Sequence, residues 1–241
     1  QFGHTSTDFY TLKRLDPSYR IYWPDHDFTD IPANYTEMEN WFESLEPGSS
    51  IQLKAFLKEA EYKYEVGMKD LVFRPSLSLL EFVDMRILKG LFQLDLTKPF
   101  SKYIRKYFKH PKLISMLEFP VLFLGAMPNE TPALYSLMNY ADISLGTWYP
   151  MGGMFKFIEA FEKIALEQGV KIITDAEVTS FDCEGEKVVA ARTKDQVFTS
   201  DVFISGADYQ HTDDKLLADK ANYTDSYWDK RTMAPSCLIF Y

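Results

Sequence analysis

Apolar residues in the first 150 positions recur mainly at helical spacing, with one early exception. Tyr19-Arg20-Ile21-Tyr22-Trp23 reads as a short aromatic strand, and Pro24-Asp25-His26-Asp27 is a turn sequence. Together they predict a hairpin returning through Phe28 to Ile31. Thr36 followed by Glu39 resembles a capping box, which predicts a helix from there to Pro47-Gly48. Ser50 precedes a longer helical pattern through Met68, with Ile51, Leu53, Phe56, Leu57, Ala60 and Tyr64 as its apolar stripe. Further helices are expected at 78–94, 99–109 and 111–118, where Pro99 and Pro111 suit the starts of the last two, and across Pro132 to Ser144.

From position 148 the pattern changes. Gly152-Gly153 leads into a helix expected from Phe155 to Gln168, with Ile158, Phe161 and Ala165 on one face and Gly169 as its stop. Val170 to Thr174 reads as a strand. Glu177 to Phe181 and Lys187 to Arg192 flank the polar run Cys183-Glu184-Gly185-Glu186 as a hairpin. Val197 to Thr199 and Asp201 to Ser205 read as further strands, the latter closing at Ser205-Gly206-Ala207-Asp208. The chain is therefore expected to be of α/β class, with residues 1–147 mostly helical and residues 148–241 a second domain portion.

Composition narrows the function classes. At 46% hydrophobic and 25% charged residues, the chain has the apolar content of a folded core. A formal net charge of −9 argues against a nucleic-acid partner, since phosphate binding needs surplus cation. Two cysteines, Cys183 and Cys237, are too few for a disulfide framework and suit a reducing, cytoplasmic setting. The opening Gln1 and the apolar, β-prone ending Ser236 to Tyr241 suggest an internal piece of a longer protein. The most apolar stretch, Met116 to Pro128, is too short to span a bilayer and contains Glu118 and two prolines.

Candidate chemistry is sparse. His4, His26, His110 and His211 are scattered without metal-ligand spacing, so no metal is expected. Neither cysteine has a local base, and no nucleophile elbow or Walker loop occurs. Between 98 and 112, Lys98, Lys102, Arg105, Lys106, Lys109 and Lys112 alternate with Phe100, Tyr103, Tyr107 and Phe108. That run reads either as an attachment point for an anionic membrane surface or as one solvated helix face with its aromatics in the core. Gly152-Gly153 would let backbone N–H groups approach a diphosphate, or would simply satisfy a tight crossover. Ser205-Gly206-Ala207 at a strand end would admit a nucleotide against the backbone.

The order of these pieces carries a resemblance. Gly146-Thr147-Trp148-Tyr149-Pro150-Met151-Gly152-Gly153, then Gly169-Val170-Lys171-Ile172-Ile173-Thr174-Asp175-Ala176-Glu177-Val178, then Phe203-Ile204-Ser205-Gly206-Ala207-Asp208 are similar to the phytoene desaturase family of FAD-dependent carotenoid desaturases. Leu15 to Trp23 and the run from Pro120 through Thr131 to Leu137 resemble the family's upstream segments. The match covers nearly the whole chain in order. Where relatives often carry a basic residue before the paired glycines, this chain has Met151.

The resemblance implies a partial, doubly wound FAD-binding domain with an inserted, mostly helical substrate domain. It implies FAD as cofactor, with Gly152, Gly153, Val178, Ser205, Gly206 and Ala207 as the cofactor-binding residues. It implies a carotenoid substrate, of phytoene type or a later hydroxylated or cyclised one, desaturated at a C–C bond, with Tyr19, Trp23, Trp148 and Tyr149 against the chain. Arg20 is the candidate catalytic residue, either stabilising negative charge on a reduced flavin or simply pairing with an acid. A carotenoid isomerase or retinol saturase on the same scaffold, or a non-catalytic lipid or carotenoid carrier, stays open. The expected setting is cytoplasmic, peripheral on the inner face of the cell membrane, and the oligomeric state stays open.

Overall fold

The computed structural model describes residues 2–69, 71–73, 77–78 and 98–232. The expected helix at 78–94 and the terminal apolar run with Cys237 lie outside the described residues. Two compact units divide the chain, one from Gln1 to Glu162 and the other from Lys163 to Met233. Among the described residues, no helix is long and apolar enough to cross a membrane.

In the first unit, β1 (Leu12–Arg14) pairs antiparallel with β4 (Trp148–Pro150), so residues far apart in sequence share a ladder. The aromatic hairpin forms as expected: β2 (Tyr19–Tyr22) pairs antiparallel with β3 (Phe28–Ile31), Tyr19 opposite Ile31. Asp25 and His26, with φ of 63° and 60°, turn the chain in the left-handed region, which short polar side chains tolerate better than most. Helix α1 (Tyr35–Leu45) starts earlier than the Thr36–Glu39 pattern suggests. Asn34 caps it, its Oδ1 accepting from the backbone of Thr36 at 2.8 Å and Glu37 at 3.2 Å. That satisfies two of the donors a helix start leaves unpaired.

Helix α2 (Ser49–Lys69) follows a loop held by one carboxylate. Glu43 accepts from the Gly48 backbone at 2.7 Å and from the Ser50 hydroxyl at 2.6 Å. These bonds keep its carboxyl below the usual range. Leu53, Phe56, Leu57 and Ala60 are buried as the stripe predicts, whereas Ile51 is 74% exposed because it precedes the packed part of the helix. Helices α3 (Phe100–Tyr107) and α4 (Pro111–Glu118) complete the core, burying Phe100, Tyr103, Ile104, Phe108, Leu113, Met116 and Leu117. Glu46 at the end of α1 accepts from the Lys109 and His110 backbones at 2.8 Å, joining it to the α3–α4 junction. Residues 133–145 are helical as expected but in three pieces, a 3-10 turn, one short α-helical stretch at Leu137–Asn139 and a π turn.

Helix α5 (Phe155–Glu167) ends at Gly169, whose φ of +80° is the left-handed stop expected there. Its face differs from expectation: Ala160 is buried, while Ile158 and Phe161 are exposed, since no element among the described residues covers them. In the second unit, β5 (Val178–Glu184), β6 (Lys187–Thr193) and β7 (Val197–Thr199) form an antiparallel meander. Cys183 belongs to β5 opposite Val188 rather than to the turn. The segments 170–174 and 201–205 form no strands. A strand is held by its ladder, and neither has a pairing partner among the described residues. Ile172, Val202 and Ile204 are accordingly exposed.

The second unit is organised around a buried carboxylate. Asp213, 0% exposed, accepts from the Asn222 backbone at 2.7 Å, the Asn222 side chain at 3.2 Å, the Tyr223 backbone at 3.2 Å and the Trp228 indole at 3.4 Å. Burial alone would raise its pKa, but these donors together hold the carboxyl below the usual carboxylate range. A depressed folded-state pKa means that its stabilisation is present above the ordinary carboxylate range and is lost as pH falls through and below it. Thermal melts followed by tryptophan fluorescence should therefore fall as pH drops through the ordinary carboxylate range and go on falling below it. Asp213→Asn is expected to melt lower at neutral pH and to show a shallower acid loss. An unchanged acid slope in the variant would assign the sensitivity to other carboxyls.

Candidate functional site

Strand β2 alternates: Tyr19 and Ile21 are half-buried and pack on the core cluster, while Arg20 and Tyr22 face outward. The period of two along a strand thus delivers the Tyr19 phenol inward. Its hydroxyl donates to Asp142 Oδ2 at 2.7 Å, across 123 positions of sequence. Asp142 sits in the π turn Tyr140–Leu145, and its other oxygen has the Thr147 hydroxyl at 3.5 Å. Burial raises the carboxyl of Asp142 above the usual range, against the lowering effect of the Tyr19 and Thr147 contacts. Burial and the neighbouring Asp142 also raise the Tyr19 phenol, so its proton stays on oxygen.

This pair stands in the wall of an otherwise apolar cavity of about 690 Å³, lined among others by Tyr64, Met68, Phe119, Phe123, Leu137 and Met138. A second cavity of about 390 Å³ is lined by Tyr19 to Trp23 with Ser115, Met116 and Phe119. Tyr19 and Phe119 border both, their ring centroids 6.4 Å apart. Both volumes lie in the range of small-molecule sites, which are mostly apolar with a few placed polar groups. Gly146 lines the larger cavity and must be glycine: at φ +82°, an added Cβ would meet the Arg14 guanidinium at 2.6 Å.

The structure brings Tyr19, Arg20 and Trp23 to one cavity, as expected of neighbours on one strand. Arg20 forms a two-pronged ion pair with Asp30, Nε to Oδ1 at 2.6 Å and Nη2 to Oδ2 at 2.8 Å, and lies 4.2 Å from the Phe28 ring centroid. It thus has the acid partner that was one of its two readings. The Trp23 indole donates to the Thr29 hydroxyl at 2.8 Å. Trp148 and Tyr149 are exposed on β4 and line neither cavity, while their neighbours Gly146 and Thr147 line the larger one. Asp142, Phe119 and Phe123 were not singled out by sequence. A signal existed for Asp142, the one charged residue between Pro132 and Trp148.

The residues expected to hold the cofactor differ in how open their main chain is. Gly152 and Gly153 adopt φ of +93° and +100°, and a Cβ on Gly152 would come within 3.0 Å of Lys156. In the second unit, a Cβ on Gly206 would meet nothing within 4 Å, and Ser205 and Ala207 are exposed beside it. Ser205 Oγ is 2.8 Å from Thr212 Oγ1, and Val178 opens β5 opposite Thr193. Gly153 and Gly206 leave room for a group against their main chain, whereas Gly152 faces the Lys156 side chain and Val178 is half-buried in β5.

The basic run is largely committed. Arg105 pairs with Glu118, Lys112 pairs with Asp27, and Lys106 lies over the Tyr107 ring at 5.5 Å. The α3 aromatics Phe100 and Tyr103 are in the core. Beyond α4 the segment Phe119–Leu124 leaves Leu122, Phe123 and Leu124 exposed, as is Met127.

Residues 4–221 match the sequence model of a family described as flavin containing amine oxidoreductase. The chain is 34% identical, over its whole length, to 49% of a carotenoid 3,4-desaturase from Haloarcula japonica. It is 28% identical over 91% of its length to a zeta-carotene-forming phytoene desaturase from Myxococcus xanthus, covering 43% of that protein. A phytoene desaturase from Phycomyces blakesleeanus is 26% identical over 97% of this chain, which covers 41% of it. The chain thus spans about half the length, or less, of these relatives.

Proposed function

We propose a carotenoid desaturase, because the chain belongs to the flavin containing amine oxidoreductase family and its resemblances to carotenoid enzymes run along nine-tenths or more of its length. The observation that carries the reading is the pair of apolar cavities meeting at Tyr19 and Phe119. A carotenoid offers almost no hydrogen-bonding groups, so its site must be apolar, extended and dry. Bound FAD would supply the hydride acceptor for removal of two hydrogens from a C–C bond.

The chain's own residues orient the polyene and exclude water. Phe119, Phe123, Leu137 and Met138 provide the apolar walls, and Tyr19 keeps its proton on oxygen at the divide. Arg20, already paired with Asp30, lends positive charge to the smaller cavity's rim. In this reading, residues 1–147 form the inserted substrate domain and residues 148–241 belong to a doubly wound cofactor domain. The setting is cytoplasmic and peripheral on the inner face of the membrane. The exposed Leu122, Phe123, Leu124 and Met127 serve as the entrance through which substrate leaves the bilayer.

The test is incubation of the full-length protein with FAD and an acyclic carotenoid carried in anionic liposomes. A red-shifted absorption spectrum is expected, with the protein floating together with the liposomes. An isomerised product with unchanged chromophore length would replace desaturation by isomerisation. Unchanged carotenoid retained on the protein would make it a carrier. Protein left at the bottom of the gradient would remove the membrane from the proposal.

A further inference from the structure

We infer that Tyr19 and Asp142 together recognise a hydroxyl group at the end of an otherwise apolar chain occupying the larger cavity. This rests on the carotenoid reading above and goes further, because it selects among such substrates. The cavity of about 690 Å³ has walls of aromatic, Leu and Met side chains, and into these is set one carboxylate-bearing residue. Asp142 Oδ2 is taken by the Tyr19 hydroxyl at 2.7 Å. Among the described residues, Oδ1 has only the Thr147 hydroxyl at 3.5 Å, the outer limit of a hydrogen bond. It therefore retains acceptor capacity in a wall whose other polar groups are the hydroxyls of Tyr64 and Thr147.

A carboxyl in an apolar wall is costly unless hydrogen-bonded, and one phenol satisfies only part of it. A ligand hydroxyl donating to Oδ1 would complete it, whereas a hydrocarbon end would seal Oδ1 from water and leave it unpaired. The discrimination follows from that asymmetry: a site built to hydrogen-bond a hydroxyl rejects the analogue that lacks it. Tyr19 holds the carboxyl in place from β2, and Thr147 stands one residue beyond the glycine at 146, whose missing side chain leaves room for the Arg14 guanidinium. Both flanks of Asp142 are thus pinned before any ligand arrives.

The experiment measures binding rather than turnover. Retinol, a polyene with one terminal hydroxyl, and axerophthene, its deoxy hydrocarbon, are titrated by their own fluorescence into the full-length protein in neutral detergent micelles. Wild type, Tyr19→Phe and Asp142→Leu are compared. Wild type is expected to bind retinol about tenfold more tightly than axerophthene, the factor one additional hydrogen bond supplies. Asp142→Leu should bind both equally, with axerophthene held at least as well as by wild type. Tyr19→Phe should keep its affinity for axerophthene and lose part of the preference.

Equal binding of both probes by wild type would overturn the inference while leaving the apolar site intact. So would a preference that survives in Asp142→Leu. Failure of wild type to bind either probe would overturn both the inference and the apolar-chain reading on which it stands. Loss of axerophthene binding in both variants would make the pair a structural pin between β2 and the 140–145 turn, and would likewise overturn the recognition role.

Discussion

Lys63→Ala is expected to destabilise the first unit by about 3–5 kcal/mol, among the largest losses any single substitution here should cause. Lys63 lies on α2 within the apolar stripe and is 1% exposed. Its ammonium donates to the Ser136 hydroxyl at 3.0 Å and the Ala133 carbonyl at 3.3 Å, and sits 3.9 Å from the Tyr103 ring centroid. Tyr103 in turn donates to Glu59 at 2.6 Å, one turn earlier on α2. Truncation removes a long stem from a packed interior and takes a cation from a ring and two oxygens that water cannot reach. Lys63→Met refills most of the volume and avoids burying a charge, so it should lose only about 1–2 kcal/mol. Urea unfolding midpoints of the three proteins decide the matter. A methionine variant as weak as the alanine variant would show that the ammonium's bonds, and not its stem, hold the 133–136 turn to α2.

Phe56→Ala is expected to cost about 3–5 kcal/mol by the same measurement, with a marked loss of near-ultraviolet circular dichroism. Phe56 is 0% exposed, and its ring centroid lies 5.7 Å from Tyr103, 5.5 Å from Tyr107 and 5.9 Å from Phe108. Phe108 continues the cluster to Phe42 on α1 at 5.4 Å. One side chain of α2 therefore joins α3 and, through Phe108, α1. Its removal leaves a cavity with aromatic walls and also cancels edge-to-face contacts worth about 0.5–1.5 kcal/mol each beyond burial. Phe56→Leu keeps much of the volume and loses the ring contacts alone, so it should fall between wild type and alanine. A leucine variant equal to wild type would reduce the aromatic cluster to plain apolar filling.

Both predictions concern residues of α2 that sequence treated differently. Phe56 belongs to the stripe that periodicity finds, whereas Lys63, three positions past Ala60, is a charged residue that a hydrophobic pattern passes over. Helical spacing identifies a face without saying what covers it, and only the approach of Ser136 and the Tyr103 ring makes that position an interior one. The N-cap shows a similar limit on a smaller scale. Thr36 and Glu39 have the right spacing, but Asn34 is the residue whose side chain meets the open backbone donors.

What the amino-acid order determined alone was short in range: the 19–31 hairpin, the burial face of α2 beyond its first turn, the stop at Gly169, and the β5–β6 hairpin. Each rests on neighbours within a few residues, where turn chemistry and side-chain period act directly. Tertiary structure decided the rest. Apolar β-prone sequence becomes a strand in β5 but not at 170–174 or 201–205, because strand identity belongs to a pair and not to a segment. Tyr19 and Asp142 meet because one strand's inward face and one π turn close on the same cavity. No local preference in either segment encodes a contact 123 residues long, so packing alone puts a hydroxyl and a carboxyl side by side in an apolar wall.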